Sequence, residues 1–170
     1  MERYAEPGKV EWVESGGGPL VVVPETVLPF WTGADGEEFA SDYDRACEVD
    51  GLVGLLPVGD AAALVLGDEP AATAYLPEHS LLVRWVAGNT EHDLLASVPA
   101  ALAVAQWQQE TQWKVPGPVV LFDATWPGTH AAGTDHARLA LGPGRYAVRA
   151  AQVSPGPETW LVLVQLRPLP

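Results

Sequence analysis

Residues 51–70, GLVGLLPVGDAAALVLGDEP, contain two short apolar runs that are separated by a glycine and an aspartate. The runs cover residues 51–58 and 61–66, and the dipeptide Gly59-Asp60 between them suits a tight hairpin turn. The GDEP segment at residues 67–70 is itself typical of a turn. This stretch therefore predicts two strands that are joined by a hairpin.

Short apolar runs separated by turn residues continue along the rest of the chain. The 17 glycines and 16 prolines are spread over its length and interrupt these runs, a pattern typical of β-rich proteins. We expect further strands at residues 10–14, 20–24, 72–76, 81–87, 107–115, 119–122, 139–141, 145–152 and 159–166. The last two runs are expected to form a hairpin that completes a sheet.

The helical signals are few. Thr90 can cap a helix whose first turn is acidic, and apolar residues follow at helical spacing up to Leu102. Pro99 lies inside this pattern, so we expect either a kink or two short helices. Because consecutive strands joined by tight turns favour antiparallel sheets, we predict a mainly β (α+β) fold: antiparallel sheets joined by hairpins, with one or two helices packed on the sheet.

The length and the apolar content of the chain suit a small globular protein. A chain of 170 residues is expected to form a single domain over residues 1–170. Its apolar runs are far shorter than the roughly 20 residues of a membrane helix. The first residues, MERYAEPGKVEW, lack the apolar region of a signal peptide. Since Cys47 is the only cysteine, no internal disulfide can form, and we expect a cytoplasmic protein.

The charge of the chain is strongly negative and unevenly distributed. Twenty-two acids and nine bases give a net charge of −13, and residues 1–97 carry a net −14 whereas residues 98–170 carry +1. Such a field repels phosphate backbones and anionic lipids, so we expect neither nucleic acid nor a membrane surface as a partner. It favours a basic protein partner, although solubility alone would also account for it.

The residues that could carry out catalysis do not form a recognisable set. None of the four histidines (His79, His92, His130 and His136) pairs at the helical spacing of a zinc protease motif, and no GxSxG motif is present. We expect no metal, no cofactor and no catalytic residue. Neighbouring acids would raise the pKa of a thiol at Cys47, so we expect a small buried core side chain there. The seven tryptophans are expected mostly in the core, with one or two as interface anchors.

The stretch FWTGADGEEFASDYDRAC, residues 30–47, combines a turn with a helix start. Gly33 allows a sharp turn, and the acidic segment at residues 35–38 is expected to be exposed. Ser41 resembles an N-cap, with Asp44 three residues later as a variant of the capping box. Tyr43 and Cys47, at i and i+4, share one helix face and are expected to point inward.

The same stretch carries a family resemblance. WTG at residues 31–33 has the form WxG, and YDRAC at residues 43–47 has the form YxxxC. Together with SGGGPL (15–20), ALVLGDEPAATAYLP (63–77), RW (84–85) and VLFDA (120–124), the chain over about residues 10–130 resembles the immunity protein 21 family of bacterial polymorphic-toxin systems. The resemblance implies a mostly β fold in which Trp31, Gly33, Tyr43 and Cys47 are structural.

The resemblance also implies a function. It suggests a non-enzymatic immunity protein that binds and neutralises a cognate toxin domain, a nuclease being one such toxin. On charge density we expect the contact surface at the acids Asp35, Glu37, Glu38, Asp42 and Asp44. The residues alone leave two alternatives open, a β-rich hydrolase that uses carboxylates and a module that binds a small ligand or acts as a scaffold.

Overall fold

The computed structural model describes residues 9–36, 40–67, 69–88 and 90–170. Within these ranges the chain forms ten strands and two α-helices, with short 3-10 helices at Glu25–Phe30, Pro77–His79 and Gly128–Gly133. The strands are β1 Leu20–Pro24, β2 Val53–Val58, β3 Ala61–Leu66, β4 Ala72–Leu76, β5 Leu81–Ala87, β6 Gln109–Val115, β7 Val119–Asp123, β8 His136–Leu139, β9 Gly144–Gly156 and β10 Thr159–Pro168. The helices are α1 Asp42–Cys47 and α2 Glu91–Val104.

The strands form two antiparallel sheets of five strands each. The first sheet has the order β2-β3-β1-β7-β8 and the second has the order β4-β5-β10-β9-β6. The hairpin predicted within residues 51–66 is confirmed, with Val58 paired to Ala61 and Gly59 at a φ of +57° in the turn. The predicted C-terminal hairpin is confirmed by the pairing of β9 with β10. The mainly β fold is therefore as the sequence predicts.

The main core lies between the two sheets. The first sheet contributes residues such as Leu20 and Leu121, and the second contributes Leu82 and Val164, all of them fully buried or nearly so. Burying each such side chain stabilises the fold by about 1.5–3 kcal/mol. The two sheets are also linked by a hydrogen bond of 2.8 Å from Trp113 Nε1 in β6 to the carbonyl oxygen of Ala62 in β3.

The outer face of each sheet is covered by helical segments. On the first sheet, Val65 and Phe122 pack against Trp31 and Ala46 from the segment around α1. On the second sheet, α2 packs its buried residues Leu94, Val98 and Ala101 against strands that include Val83 and Leu163. The structure thus has four layers, and α1 lies on the outside of the first sheet.

Helix α2 tests two predictions from the sequence, the cap at Thr90 and the kink or break at Pro99. The hydroxyl of Thr90 accepts a hydrogen bond of 3.0 Å from the backbone N–H of Asp93, as the predicted cap requires. The helix continues through Pro99 to Val104, so one helix forms rather than two. None of the helices among the described residues is long and apolar enough to cross a membrane.

Two strand predictions need correction. Residues 10–14 do not form a strand, because only Val13 pairs, through two backbone hydrogen bonds with Thr73 of 2.8 and 3.0 Å. The alternating pattern is there, but the bridge extends no further along the edge of β4. The strand predicted at residues 139–141 lies instead at His136–Leu139, where β8 pairs with β7.

The loop that connects the first sheet to the second is held by a buried arginine. Arg84 in β5 is 0% exposed and donates hydrogen bonds of 2.7 Å to the carbonyl oxygens of Gly67 and Glu69. It also donates a 3.2 Å bond to the hydroxyl of Thr73. Because these carbonyls satisfy its donors, Arg84 fixes Gly67 and Glu69 against the second sheet. Residues 67–70 are hereafter called the crossover loop.

Candidate functional site

The WTG segment is locked to the chain that follows β7. Trp31 donates a 3.1 Å hydrogen bond from Nε1 to the carbonyl oxygen of Ala124, and its own carbonyl accepts one of 2.8 Å from Gly128. Gly33 has a φ of +61°, and a Cβ atom there would lie 2.5 Å from the nitrogen of Pro127. No other residue type fits this turn without displacing backbone, so Trp31 and Gly33 occupy scaffold positions.

The acids at the start of α1 are engaged within the protein. Asp42 is only 6% exposed, accepts a 2.8 Å hydrogen bond from the N–H of Thr32 and pairs with Arg45. The expectation that Asp42 faces a partner is therefore wrong, because its carboxylate joins α1 to the WTG segment. Asp44 accepts hydrogen bonds from the backbone and the hydroxyl of Ser41, so the predicted capping box is confirmed.

The described part of the loop before α1 lies near an exposed aromatic side chain. Asp35 is exposed, whereas Glu37 and Glu38 lie outside the described residues. The preceding residue, Ala34, donates a 2.9 Å hydrogen bond to the carbonyl oxygen of Thr125. This bond brings the loop next to Trp126, which is 45% exposed, one of four large exposed apolar side chains among the described residues.

Tyr43 and Cys47 differ in burial, since Tyr43 is partly buried and packs against the core on the outer face of the first sheet, as predicted, whereas Cys47 is not. The fully buried residues of the helix are Asp42 and Ala46, so the centre of the face that packs on the sheet is one residue away from the one predicted. Cys47 is consequently exposed, and its predicted burial in the core is wrong. The neighbouring Cys47 side chain, first by its polar interaction and then by its charge, and partial burial raise the pKa of Tyr43.

Tyr43 and Cys47 form one wall of a small concavity, hereafter the Tyr43 hollow, with a volume of about 200 Å³. Its lining residues are Gly17, Gly18, Pro19, Tyr43, Ala46, Cys47, Val49, Gly67, Glu69 and Pro70. A Cβ atom at Gly18 would lie 2.7 Å from the hydroxyl oxygen of Tyr43, so glycine at this position lets the tyrosine ring rest on the loop.

A second concavity, hereafter the Trp85 hollow, lies on the other side of the crossover loop. It has a volume of about 390 Å³ and is lined by Glu14, Ser15, Pro70, Ala71, Ala72, Trp85, Val86, Ala87 and Gly88. Since the pairing of β4 with β5 begins only at Ala72 and Trp85, β5 extends past its neighbour here and leaves a gap. Pro70 lines both hollows and separates them.

The segments that carry the family resemblance meet around the Tyr43 hollow. Asp123 of VLFDA is buried, and its carboxylate accepts hydrogen bonds from Gly16 (2.8 Å) and Thr125 (2.9 Å). SGGGPL, YDRAC and GDEP supply all of the described lining residues except Val49, and Arg84 of the RW pair holds the crossover loop. Segments that are far apart in the chain thus build one region.

The exposed acids of this region form a patch, hereafter the acidic face, that consists of Glu14, Glu48, Asp50 and Glu69. Glu14 and Glu69 line the hollows, and Glu48 and Asp50 flank the lining residue Val49. Among the described residues that line either hollow, none is lysine or arginine. Sequence reasoning missed the acidic face, since its members are separated in the chain and only the fold brings them together.

The basic residues of strands β6, β9 and β10 form a separate patch, hereafter the basic strip, that consists of Lys114, Arg145, Arg149 and Arg167. Lys114 in β6 lies directly opposite Arg145 in β9. Arg149 stacks 4.0 Å above the ring of Trp107 and donates to the side-chain oxygen of Gln165. Burial first, and then the charge of Arg167, lowers the pKa of Arg149. The molecule is therefore divided into an acidic and a basic region.

The described residues contain no cluster of three or more His, Cys, Asp and Glu side chains that could hold a metal ion. His130 lies exposed in the 3-10 helix Gly128–Gly133, and His136 begins β8. The HAAGTDH segment, the best local candidate for ligands in the sequence, forms no such cluster among the described residues.

Fold and surface together define a class: a small antiparallel β-sandwich with two shallow hollows on either side of the crossover loop, one of which lies beside α1. Residues 11–159 match the model of a protein family described as immunity protein 21, and since the match covers most of the chain, the protein belongs to this family. The match reaches further toward the C-terminus than the motifs do and includes β8 and β9. No curated protein matches the chain. No solved structure matches it either.

Proposed function

We propose that this protein binds the toxin domain of a bacterial polymorphic-toxin system and neutralises it as a stoichiometric inhibitor, without a reaction of its own. The observation that carries the proposal is membership of the immunity protein 21 family. In this proposal residues 1–170 act as one domain in the cytoplasm, need no cofactor and contact neither nucleic acid nor membrane.

The acidic face supports a basic toxin as the partner. Enzymes that act on nucleic acids carry positive charge around the substrate groove, so a toxin of the nuclease class fits this surface. Complementary charge can raise association rates to about 10⁸–10⁹ M⁻¹s⁻¹ at low salt. An inhibitor that must capture a toxin quickly benefits from such steering.

The loop before α1 is the proposed leading edge of the contact. Asp35, with Glu37 and Glu38 that follow it in the chain, supplies charge, and Trp126 beside it supplies exposed aromatic area. Tryptophan is enriched among the residues that dominate binding energies. Asp42 and Asp44, whose carboxylates are occupied internally, contribute by holding α1 rather than by touching the toxin.

Co-expression with the toxin domain encoded beside this protein's gene tests the function. We expect growth to be rescued and the two chains to co-purify as a stoichiometric complex. A toxin that remains lethal, together with no complex by size-exclusion chromatography, would contradict the proposal.

Charge reversal tests the leading edge. The triple variant Asp35→Lys, Glu37→Lys, Glu38→Lys should associate more slowly with the toxin and show a flatter dependence of the association rate on salt. Association kinetics that match those of the wild type at every salt concentration would remove this loop from the contact.

A further inference from the structure

We propose that the Tyr43 hollow is the anchor site of the interface and holds one lysine or arginine side chain of the bound toxin. This assignment rests on the proposed function and goes beyond it, because it names one position and the chemical group that occupies it. The argument depends on the size of the hollow, its walls, its rim and its rigidity.

The size of the hollow suits a single side chain. Pockets for drug-sized ligands have volumes of about 300–1,000 Å³, and the Tyr43 hollow, at about 200 Å³, is smaller. It is open at the surface between α1 and the crossover loop, so a side chain that projects from another protein can enter it without any rearrangement.

The walls and the rim of the hollow differ in polarity. Pro19, Ala46, Val49 and Pro70 give the walls apolar surface, to which the ring of Tyr43 adds. Lysine and arginine bury their aliphatic stems along such surfaces and keep the charged group at the polar end.

Glu69 is exposed and lines the hollow, and the exposed acids Glu48 and Asp50 precede and follow the lining residue Val49 in the chain. A carboxylate accepts charge-assisted hydrogen bonds from a guanidinium or an ammonium group, and arginine can make two such bonds at once. No lysine or arginine is among the described lining residues, and Arg84, which lies behind the crossover loop, is buried with its donors turned to the carbonyl oxygens of Gly67 and Glu69. The apolar walls of the hollow therefore suit the aliphatic stem of a lysine or arginine, and its acidic rim suits the charged group.

The hollow is held in shape before any partner arrives. Arg84 bonds the carbonyl oxygens of Gly67 and Glu69 on one side. On the other side the Ser41–Asp44 capping box begins α1, and Tyr43 rests on the backbone of Gly18. Because little has to be ordered on binding, the entropic cost of docking is small.

An anchor and a leading edge have different kinetic signatures. Charges at the edge of an interface act mainly on the association rate, whereas a desolvated charge pair acts mainly on the dissociation rate. Substitutions in the Tyr43 hollow that do not reverse a charge should therefore act mainly on the dissociation rate, and the charge reversal around Asp35 should act mainly on the association rate.

The test measures dissociation of the toxin from two variants and one control. Cys47→Trp fills the hollow from its exposed rim, and Glu69→Gln removes the charge at nearly constant shape. The matched control is Glu78→Gln, an exposed acid in the 3-10 helix Pro77–His79. We expect Cys47→Trp and Glu69→Gln to raise the dissociation rate on the order of 30-fold or more, and Glu78→Gln to change it less than twofold.

Controls separate this assignment from the function itself. Thermal unfolding of each variant within about 2 °C of the wild type shows that the fold is intact, and Glu69→Gln remains informative if Cys47→Trp unfolds. An alanine scan of the toxin's lysines and arginines should find one position at which the Glu69→Gln effect disappears. If the wild type binds and both variants dissociate at the wild-type rate, the anchor assignment is overturned while the function stands. If the wild type forms no complex, both are overturned.

Discussion

The acidic face and the basic strip are both charged surfaces of the same protein, yet they are built differently. Around the acidic face the chain uses some carboxylates as structural acceptors (Asp42, Asp44 and Asp123) and leaves others exposed. In the basic strip, Arg149 stacks on Trp107, bonds Gln165 and lies opposite Glu110, whereas Lys114 lies opposite a like charge. The comparison shows that charge density alone does not identify a contact surface, because the hydrogen bonds of each charge decide whether it is available.

The largest expected difference between the two regions is in the loss of stability when an arginine of each is replaced. Arg84→Met removes the donors that hold the crossover loop and leaves buried carbonyls without partners, so we expect a loss of about 3 kcal/mol or more in the free energy of unfolding. Arg149→Met in the basic strip loses a partly exposed stacking contact, for which about 1 kcal/mol is expected. Urea denaturation measures both. Equal losses would show that the crossover loop is not held by Arg84.

A glycine pair gives the next largest difference. Gly33→Ala combines a left-handed backbone with a contact to Pro127, and we expect it to lower the free energy of unfolding by about 2 kcal/mol. Gly133→Ala is the control, since a Cβ atom there meets nothing within 4 Å, and we expect a change below about 0.5 kcal/mol. If Gly33→Ala were as mild as its control in thermal unfolding, the WTG turn would not be a rigid part of the scaffold.

An acid that accepts hydrogen bonds within the protein and an exposed acid can be compared directly. Asp42→Ala leaves the N–H of Thr32 and the side chain of Arg45 without their acceptor, and should cost about 1–3 kcal/mol of stability. Asp35→Ala removes an exposed charge and should change stability by less than about 0.5 kcal/mol while slowing association with the toxin. The reverse order in chemical denaturation would contradict the division into structural and available carboxylates.

The smallest expected effect lies in the basic strip. Arg145→Gln relieves the repulsion with Lys114 across the β6–β9 pair, so it should raise stability by about 0.2–1 kcal/mol at low salt and by less at high salt. Arg138→Gln is the control, because it removes an attraction, the ion pair with Glu25, instead of a repulsion. It should not raise stability. A destabilised Arg145→Gln protein would mean that the strip is not under electrostatic strain.

Local signals in the sequence were sufficient for most elements of the fold. The hairpin at residues 51–66 and the cap at Ser41 depend on residues only a few positions apart, and both are where the sequence predicts them. The strand prediction at residues 10–14 is wrong because an alternating pattern does not show whether a neighbouring strand is available for pairing. Their position beside Thr73 follows from the order of the second sheet, which no local pattern contains.

The candidate site was less accessible to prediction. The i, i+4 spacing of Tyr43 and Cys47 shows that they share a face, but not that Asp42 and Ala46 occupy the inner one. Glu69 was placed in a turn, and only the folded chain brings it beside α1. Which acids are exposed depends on contacts across the whole first half of the chain.

Association kinetics of two matched variants test the central claim most directly. Glu48→Lys with Glu69→Lys changes the acidic face, and Arg145→Glu with Arg167→Glu changes the basic strip by the same number of charges in the opposite direction. We predict that the acidic-face variant associates with the toxin at least about tenfold more slowly and loses most of its salt dependence. The basic-strip variant should associate within about twofold of the wild-type rate. An unchanged rate for the acidic-face variant, or an equal slowing of both, would contradict the claim that the acidic face is the docking surface.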